Sequence, residues 1–168
     1  MTADPAGKYA RWELERRFLC SRLPETASDE RGWDILDRYL DNSHLRLRRM
    51  DALDGSETIF KLGKKETPAP PDFSRMTITN IYLSAAEYDL LAALPGLELR
   101  KRRYRIDQDG RCWSIDVFGG ALEGLILAET DFDDAELEPP DWIEREVSDD
   151  ERYTGGSLAR QASIAPSS

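Results

Sequence analysis

The segment Trp12-Glu13-Leu14-Glu15-Arg16-Arg17-Phe18 decides the fold class, because charged and apolar side chains alternate along most of it. Side chains at positions i and i+2 of a β-strand share one face. Glu13, Glu15 and Arg17 are therefore predicted to lie together on one side of a strand. Taken alone, this strand could be an ordinary amphipathic one whose charged face meets solvent.

Four further segments repeat the alternation, and the interpretation depends on the whole set. The charged positions that share a face within their own segments are Arg46 with Arg48, Lys61, Lys101 with Arg103, and Glu129 with Asp131. Like charges side by side on a sheet destabilise it, so a surface without a function would avoid them. A closed barrel with these faces turned inward explains the pattern. Bases around its wall would bind a polyanion, and carboxylates would hold the divalent cation that accompanies it.

Strand-like runs separated by turn residues dominate the chain. The predicted strands are Trp12–Cys20, Ile35–Leu40, Leu45–Met50, Thr58–Leu62, Met76–Leu83, Leu99–Ile106, Cys112–Phe118 and Leu125–Phe132. Eight short strands predict a barrel or a sandwich. The charge pattern favours a closed eight-stranded antiparallel β-barrel, a tunnel with a charged lumen, in a fold that is mainly β with a few helices (α+β).

Helix signals are fewer. Ser84 and Glu87 form a capping-box pattern, and Pro95-Gly96 would end the helix after an apolar stripe of leucines at 90, 91 and 94. Shorter helices are predicted after Asp134 and near Ser157–Arg160. We expect residues 1–11 to be an N-terminal extension, residues 12–160 to form one domain and residues 161–168 to be a flexible tail.

Composition restricts the partners. The 168-residue chain has a net charge of −10, with 33 acids and 23 bases, which argues against duplex nucleic acid or an anionic membrane surface. The bases concentrate at 16–17, 46–49, 61–65 and 100–105, which favours a local anion site. Two cysteines are too few for a metal framework, and no apolar stretch predicts a signal peptide or a membrane span. We therefore expect a cytoplasmic protein.

The sequence resembles the CYTH-domain proteins, the triphosphate tunnel metalloenzymes. Trp12–Phe18 is similar to their amino-terminal E-x-E-x-K signature, and the similarity continues in order over about residues 12 to 160. The other matching segments are Asp37–Leu40, Leu45–Arg49, Phe60–Gly63, Lys101–Tyr104, Trp113–Phe118, Leu122–Leu125, Leu127–Asp131, Glu146-Val147 and Arg152-Tyr153. Each segment is a weak signal by itself, and the ordered set is specific.

The resemblance implies a tunnel that binds a triphosphate or polyphosphate together with Mg²⁺ or Mn²⁺. It implies that phosphates are bound by Arg17, Arg46, Arg48, Lys61, Lys101 and Arg103. It implies that the metal ligands are Glu13, Glu15, Glu129 and Asp131. Arg17, Tyr39 and Asp116 are then candidates for catalytic roles, and Asp116 is either a ligand or an orienting group.

Three departures from the family pattern bear on function. Arg17 stands where the family has a lysine. A lysine could lose its proton and act as a base, with a tyrosine such as Tyr39 nearby, whereas an arginine cannot. Thr77 and Thr79 are predicted to replace a Glu-x-Glu pair, which removes two negative charges. Gly155-Gly156 occupies the place of an asparagine and a base.

The resemblance implies a metal-dependent hydrolase of a triphosphate, most simply inorganic triphosphate. The main alternative is a non-catalytic module that binds polyphosphate or a nucleotide, which the missing glutamates favour. Adenylate cyclisation and thiamine triphosphate hydrolysis are weaker alternatives. The only histidine, His44, has no Ser or Cys partner for a catalytic triad. A monomer and a homodimer are both compatible with the sequence.

Overall fold

The computed structural model describes residues 7–68, 71–131 and 138–164 of the chain. In these residues nine strands and two α-helices are formed, together with short 3₁₀ turns. The strands are β1 Arg11–Cys20, β2 Gly32–Leu40, β3 Leu45–Ala52, β4 Thr58–Glu66, β5 Arg75–Leu83, β6 Gly96–Gln108, β7 Arg111–Phe118, β8 Ile126–Asp131 and β9 Ile143–Glu146. The helices are α1 Ala85–Ala92 and α2 Gly155–Ile164.

The strands close into a barrel in the order β5-β4-β3-β2-β6-β7-β8-β1, and β1 pairs back onto β5. Every pairing is antiparallel, so the predicted eight-stranded barrel is confirmed. Strand β1 is the seam. One of its edges pairs with β8, while the other pairs with β5 over Arg11–Leu14 and with β9 over Phe18–Cys20. The sequence did not predict β9.

The outward faces of β1, β6, β7 and β8 carry an apolar core. Its buried members are Phe18, Cys20, Ile106, Trp113, Ile115, Ala128 and Trp142. Trp113 lies edge-on to Phe18 and to Trp142, with ring centroids 5.8 and 5.1 Å apart. These aromatic contacts each add about 0.5–1.5 kcal/mol to the burial of apolar area. The prediction that apolar faces pack outward is therefore confirmed here, and it leaves the other face of each strand for the lumen.

Helix α1 begins with the predicted capping box, because the Ser84 hydroxyl accepts from the Glu87 amide and the Glu87 carboxylate accepts from the Ser84 amide. The predicted leucine stripe is wrong, since Leu90 is 75% exposed. Tyr88 is buried instead and packs on Phe60, with ring centroids 4.7 Å apart. An eight-residue helix touches the barrel over little more than one turn, and one aromatic ring fills that contact.

Helix α2 closes one end of the tunnel. Its Leu158 and Ala159 pack with Val147 against apolar residues on the lumen faces of three strands. Those residues are Leu99, Phe118 and Leu127. The helix runs through Ile164, so four residues of the predicted tail are helical. Residues 165–168 and the helix predicted after Asp134 lie outside the described residues.

No helix in the described part of the chain is long and apolar enough to cross a membrane.

Candidate functional site

A cavity of about 630 Å³ runs into the barrel. Nine of the ten charged residues predicted to face one lumen line it, and so does Tyr39. These residues are Glu13, Glu15, Arg17, Arg46, Arg48, Lys61, Lys101, Arg103 and Glu129. They come from β1, β3, β4, β6 and β8, so the two-residue period of each strand and the closure of the barrel together build the site.

Two predicted site residues lie elsewhere. Asp131 pairs with Glu15 across β1 and β8 and so shares its face, but it is exposed at the end of β8 and is not among the residues that line the cavity. Its role as a metal ligand stays a prediction. Asp116 is 2% exposed and lies behind the bases that line the cavity.

We call Arg46, Arg48, Lys61, Lys101 and Arg103 the basic wall. Buried acids hold this wall from behind. Arg48 donates to both oxygens of Asp37, from Nε at 2.6 Å and from Nη2 at 2.7 Å, and Asp37 is fully buried. Although burial opposes ionisation, Arg48 and Arg46 lower the pKa of Asp37 well below its usual value. Asp37 is therefore a buried anion that fixes Arg48 in place.

Asp116 plays the same part on β7. Lys101 donates to it at 2.6 Å, and Arg103 donates through Nε at 2.6 Å and Nη2 at 2.7 Å. Burial raises the pKa of Asp116, but Arg103 and Lys101 lower it more, so the net pKa lies below its usual value. Of the two readings from the sequence, this geometry favours an orienting group rather than a metal ligand.

Three cations of the lumen keep unused hydrogen-bonding capacity. Among the described residues, the buried Arg46 Nε and Arg17 Nη1 find no hydrogen-bond partner. Arg46 Nε lies 3.8 Å from Asp37, which is an ion pair without a hydrogen bond. Lys61 makes no ion pair with the described residues, and burial together with Arg48 and Arg46 lowers its pKa. Such donors are available to an anion in the cavity.

The carboxylates of the lumen are gathered on β1 and β8. Glu129 accepts from Arg17 at 3.0 Å and from Arg103 at 2.9 Å, and these bases hold its pKa well below its usual value. Glu13 is paired with Lys65. Glu15 differs, because burial, Glu129 and Glu13 raise its pKa to about 7. This concentration of negative charge fits a divalent cation, whose preferred ligands are carboxylate oxygens.

The carboxylates do not form a complete metal cage. No group of three or more His, Cys, Asp or Glu in the described residues could hold a metal ion. Glu13 and Glu15 could supply two oxygens, which is the share that Mg²⁺ usually takes from protein when phosphate and water supply the rest.

Strand β5 corrects one prediction. Met76, Ile78 and Asn80 line the cavity, and we call these three residues the β5 wall. Thr77 and Thr79 belong to the opposite face, where the Thr77 hydroxyl lies 3.5 Å from the Glu66 carbonyl. A shift of one residue exchanges the faces of a strand. The lumen thus lacks carboxylates on β5, but methionine and isoleucine stand there rather than threonines.

Several residues of the site, some lining the cavity and one behind its wall, were missed from the sequence. Lys65 shares the phase of Lys61 and would have been found if the predicted strand had continued beyond Leu62 to Glu66. Asp37 shares the phase of Tyr39 on β2, so its lumen side was predictable, although its pairing with Arg48 was not. Arg160 lines the cavity from α2, and no strand period points to it.

Comparison with known proteins supports the predicted family. No protein-family model matches the chain. An inorganic triphosphatase of Nitrosomonas europaea is 29% identical over 157 residues, which cover 88% of this chain and 96% of the relative. An inorganic triphosphatase of Acetivibrio thermocellus is 41% identical over 64 residues, and the match covers 37% of this chain and 41% of that relative.

Solved structures agree. The crystal structure of an inorganic triphosphatase superposes with a TM-score of 0.59 at 25% identity and covers 93% of this chain and 100% of the other. A proposed adenylate cyclase from Bacillus halodurans has a TM-score of 0.50 at 17% identity, covers 74% of this chain and 82% of the other, and shares the fold. With the charged tunnel, these similarities support the predicted resemblance to the CYTH, or triphosphate tunnel, family.

Proposed function

We propose that this chain hydrolyses a triphosphate, most simply inorganic triphosphate, inside the tunnel. The observation that carries the proposal is the enclosed cavity in which the basic wall faces the carboxylates of β1. A relative that bears the name inorganic triphosphatase, matched over 96% of its length, supports the same reaction. A linear chain of three phosphates carries several negative charges in a row, and bases on β3, β4 and β6 would contact it along its length.

The phosphates would be bound by donors that are already oriented. Arg48, Lys101 and Arg103 are fixed by buried acids, so little side-chain freedom is lost when the anion enters. Arg46 and Lys61 have spare donors and would gain the most from the ligand. Preorganised donors of this kind stabilise the charge that develops on a leaving diphosphate.

Glu13 and Glu15 would hold Mg²⁺ or Mn²⁺, and the crowding that raises the pKa of Glu15 to about 7 is what a cation relieves. When bound, the cation neutralises phosphate charge and lowers the pKa of a coordinated water. Hydrolysis breaks one phosphoanhydride bond, adds the water oxygen to the terminal phosphorus and releases a proton to phosphate or solvent.

Arg17 cannot accept that proton, because a guanidinium stays charged. Burial, followed by Asp37, raises the pKa of Tyr39 to about 12, so its hydroxyl stays neutral near pH 7. Tyr39 would therefore act as a hydrogen-bonding group that orients phosphate or water, rather than as a phenolate base.

Phosphate release from triphosphate, ATP and thiamine triphosphate, each with Mg²⁺ or Mn²⁺, tests the proposal. We expect release from triphosphate that depends on the cation and is lost in Glu13→Gln. Arg49→Ala is the matched control for Arg46→Ala, because both residues lie on β3 and Arg49 pairs with Asp51 on the outer face. Only Arg46→Ala should weaken triphosphate hydrolysis.

A non-catalytic module that binds polyphosphate or a nucleotide is the second candidate, and Arg17 with the β5 wall favours it. Tight triphosphate binding without phosphate release under any of these conditions would establish the binder. Cyclic nucleotide formation from ATP would point instead to a cyclase. A cytoplasmic location and a monomeric or homodimeric state stay predictions.

A further inference from the structure

Helix α2 begins with two glycines that its backbone does not require. Neither Gly155 nor Gly156 has a positive φ, so an L-amino acid could adopt either conformation. Glycine also lowers helix stability relative to alanine. A reason for glycine at these positions must therefore be sought in what surrounds them.

The two positions differ sharply in space. A Cβ at Gly155 would overlap the hydroxyl oxygen of Tyr39 and would lie 2.9 Å from its Cζ. A Cβ at Gly156 would lie 3.7 Å from Arg160 Nη1 and 3.9 Å from Tyr39 Cδ1, which are ordinary contacts. The outer end of the Tyr39 ring thus occupies the volume that a side chain at position 155 would fill.

The Tyr39 ring cannot move away from position 155 without a cost in free energy. Its ring extends from β2, two residues from the buried Asp37 and directly opposite Arg46 on β3. The ring also packs against the apolar cluster that holds α2, which includes Leu99 and Leu158. A rigid ring on a paired strand can leave Gly155 only by turning toward the cavity or by lifting α2.

We propose that Gly155 is a positioning residue, whose missing side chain lets the Tyr39 hydroxyl reach its place in the tunnel between α2 and the arginines of β3. The inference rests on the proposed triphosphatase function for its catalytic consequence. The contact itself is independent of that function. Positions 155 and 39 are therefore coupled, because a side chain at position 155 would displace the Tyr39 hydroxyl.

Gly155→Ala and Gly156→Ala are the matched pair that tests it, each made in the wild-type and in the Tyr39→Phe background. We expect Gly156→Ala to leave kcat and KM for triphosphate unchanged and the melting temperature equal or higher. Gly155→Ala should lower kcat at least about tenfold, because misplacement of a hydrogen-bonding group costs this much or more. KM should change less than about threefold. In the Tyr39→Phe background, Gly155→Ala should have little further effect on kcat, because the hydroxyl it displaces is already gone.

A measurement of stability distinguishes failure of the positioning role from failure of the proposed function. Gly155→Ala should lower the melting temperature by roughly 2–4 °C, and Tyr39→Leu, which shortens the side chain, should abolish that loss. If the protein hydrolyses no triphosphate but this stability coupling is present, the proposed function fails and the contact stands. If the enzyme is active and Gly155→Ala behaves like Gly156→Ala in both kcat and stability, the positioning role is refuted.

Discussion

The two sides of the lumen are built differently. On the basic wall β3, β4 and β6 contribute the cations, and buried Asp37 and Asp116 hold three of them in place. On the β5 wall, next to the carboxylates of β1, the lumen meets Met76 and Ile78. The basic wall thus carries many oriented positive charges. The side with the β5 wall has no carboxylate beyond those of β1 and β8.

Because of this difference, anion binding rests on many residues and cation binding on few. Anion binding depends on many donors that are preorganised before the ligand arrives, so the loss of one donor should weaken binding without abolishing it. Cation binding depends on Glu13 and Glu15 with little support, which predicts one divalent ion per chain rather than two.

The largest effect is expected from Asp37→Ala, which removes one of the two acids behind the basic wall. Arg48 would be left buried without its counter-charge, and breaking a buried ion pair typically costs about 3–5 kcal/mol. The free energy of unfolding, measured in urea, should fall by this amount. Asp34→Ala is the control on the same strand, since its ion pair with Arg102 is exposed and should contribute at most about 1 kcal/mol.

The ion pair between Asp37 and Arg48 also predicts that stability depends on pH. Because Arg48 and Arg46 lower the pKa of Asp37, its stabilising contribution is present above the unfolded-state pKa of about 3.9. It is lost as the pH falls through the lower folded-state pKa. Asp37→Ala should therefore flatten the acid limb of the stability curve below about pH 4. An unchanged acid limb would show that Asp37 is not ionised in the fold.

A smaller effect is expected from Arg46→Ala, which removes a donor that no described residue uses fully. Triphosphate binding, measured by calorimetry, should weaken by about 1.5–3 kcal/mol, the scale of a charge-assisted hydrogen bond. Stability should change little. Arg48→Ala should weaken binding and also destabilise the fold, because it leaves Asp37 unpaired. Equal stability of the two variants would contradict the assignment of Arg46 to ligand binding alone and of Arg48 to both binding and stability.

The smallest effect is expected on the β5 wall. Met76→Glu with Ile78→Glu adds two carboxylates to the lumen opposite Glu13, so Mn²⁺ titration with bound triphosphate should rise from about one ion to about two, the second held weakly. Thr77→Glu with Thr79→Glu is the control, because those side chains belong to the other face of β5. Two well-occupied ions in the unmodified protein would refute the one-metal prediction.

Local signals were reliable where one period governed a whole strand. The alternation in Leu45–Arg48 or Trp12–Phe18 predicted both the strand and its lumen face, and the capping box at Ser84 predicted the start of α1. They failed where an element was short or ended. Leu90 is exposed because α1 contacts the barrel mainly through Tyr88, and Asp131 is exposed at the last described position of β8.

The sequence by itself determined that this protein has strands with one charged and one apolar face, since a period of two residues is a property of the extended chain alone. It also determined which residue types would meet in a closed lumen, and the family resemblance predicts their roles. Only the tertiary structure decided which acid pairs with which base, that Met76 and Ile78 rather than Thr77 and Thr79 face the lumen, and that Tyr39 fills the space beside Gly155. These are relations between strands and helices that are distant in sequence, and register, shear and helix docking fix them only when the barrel closes.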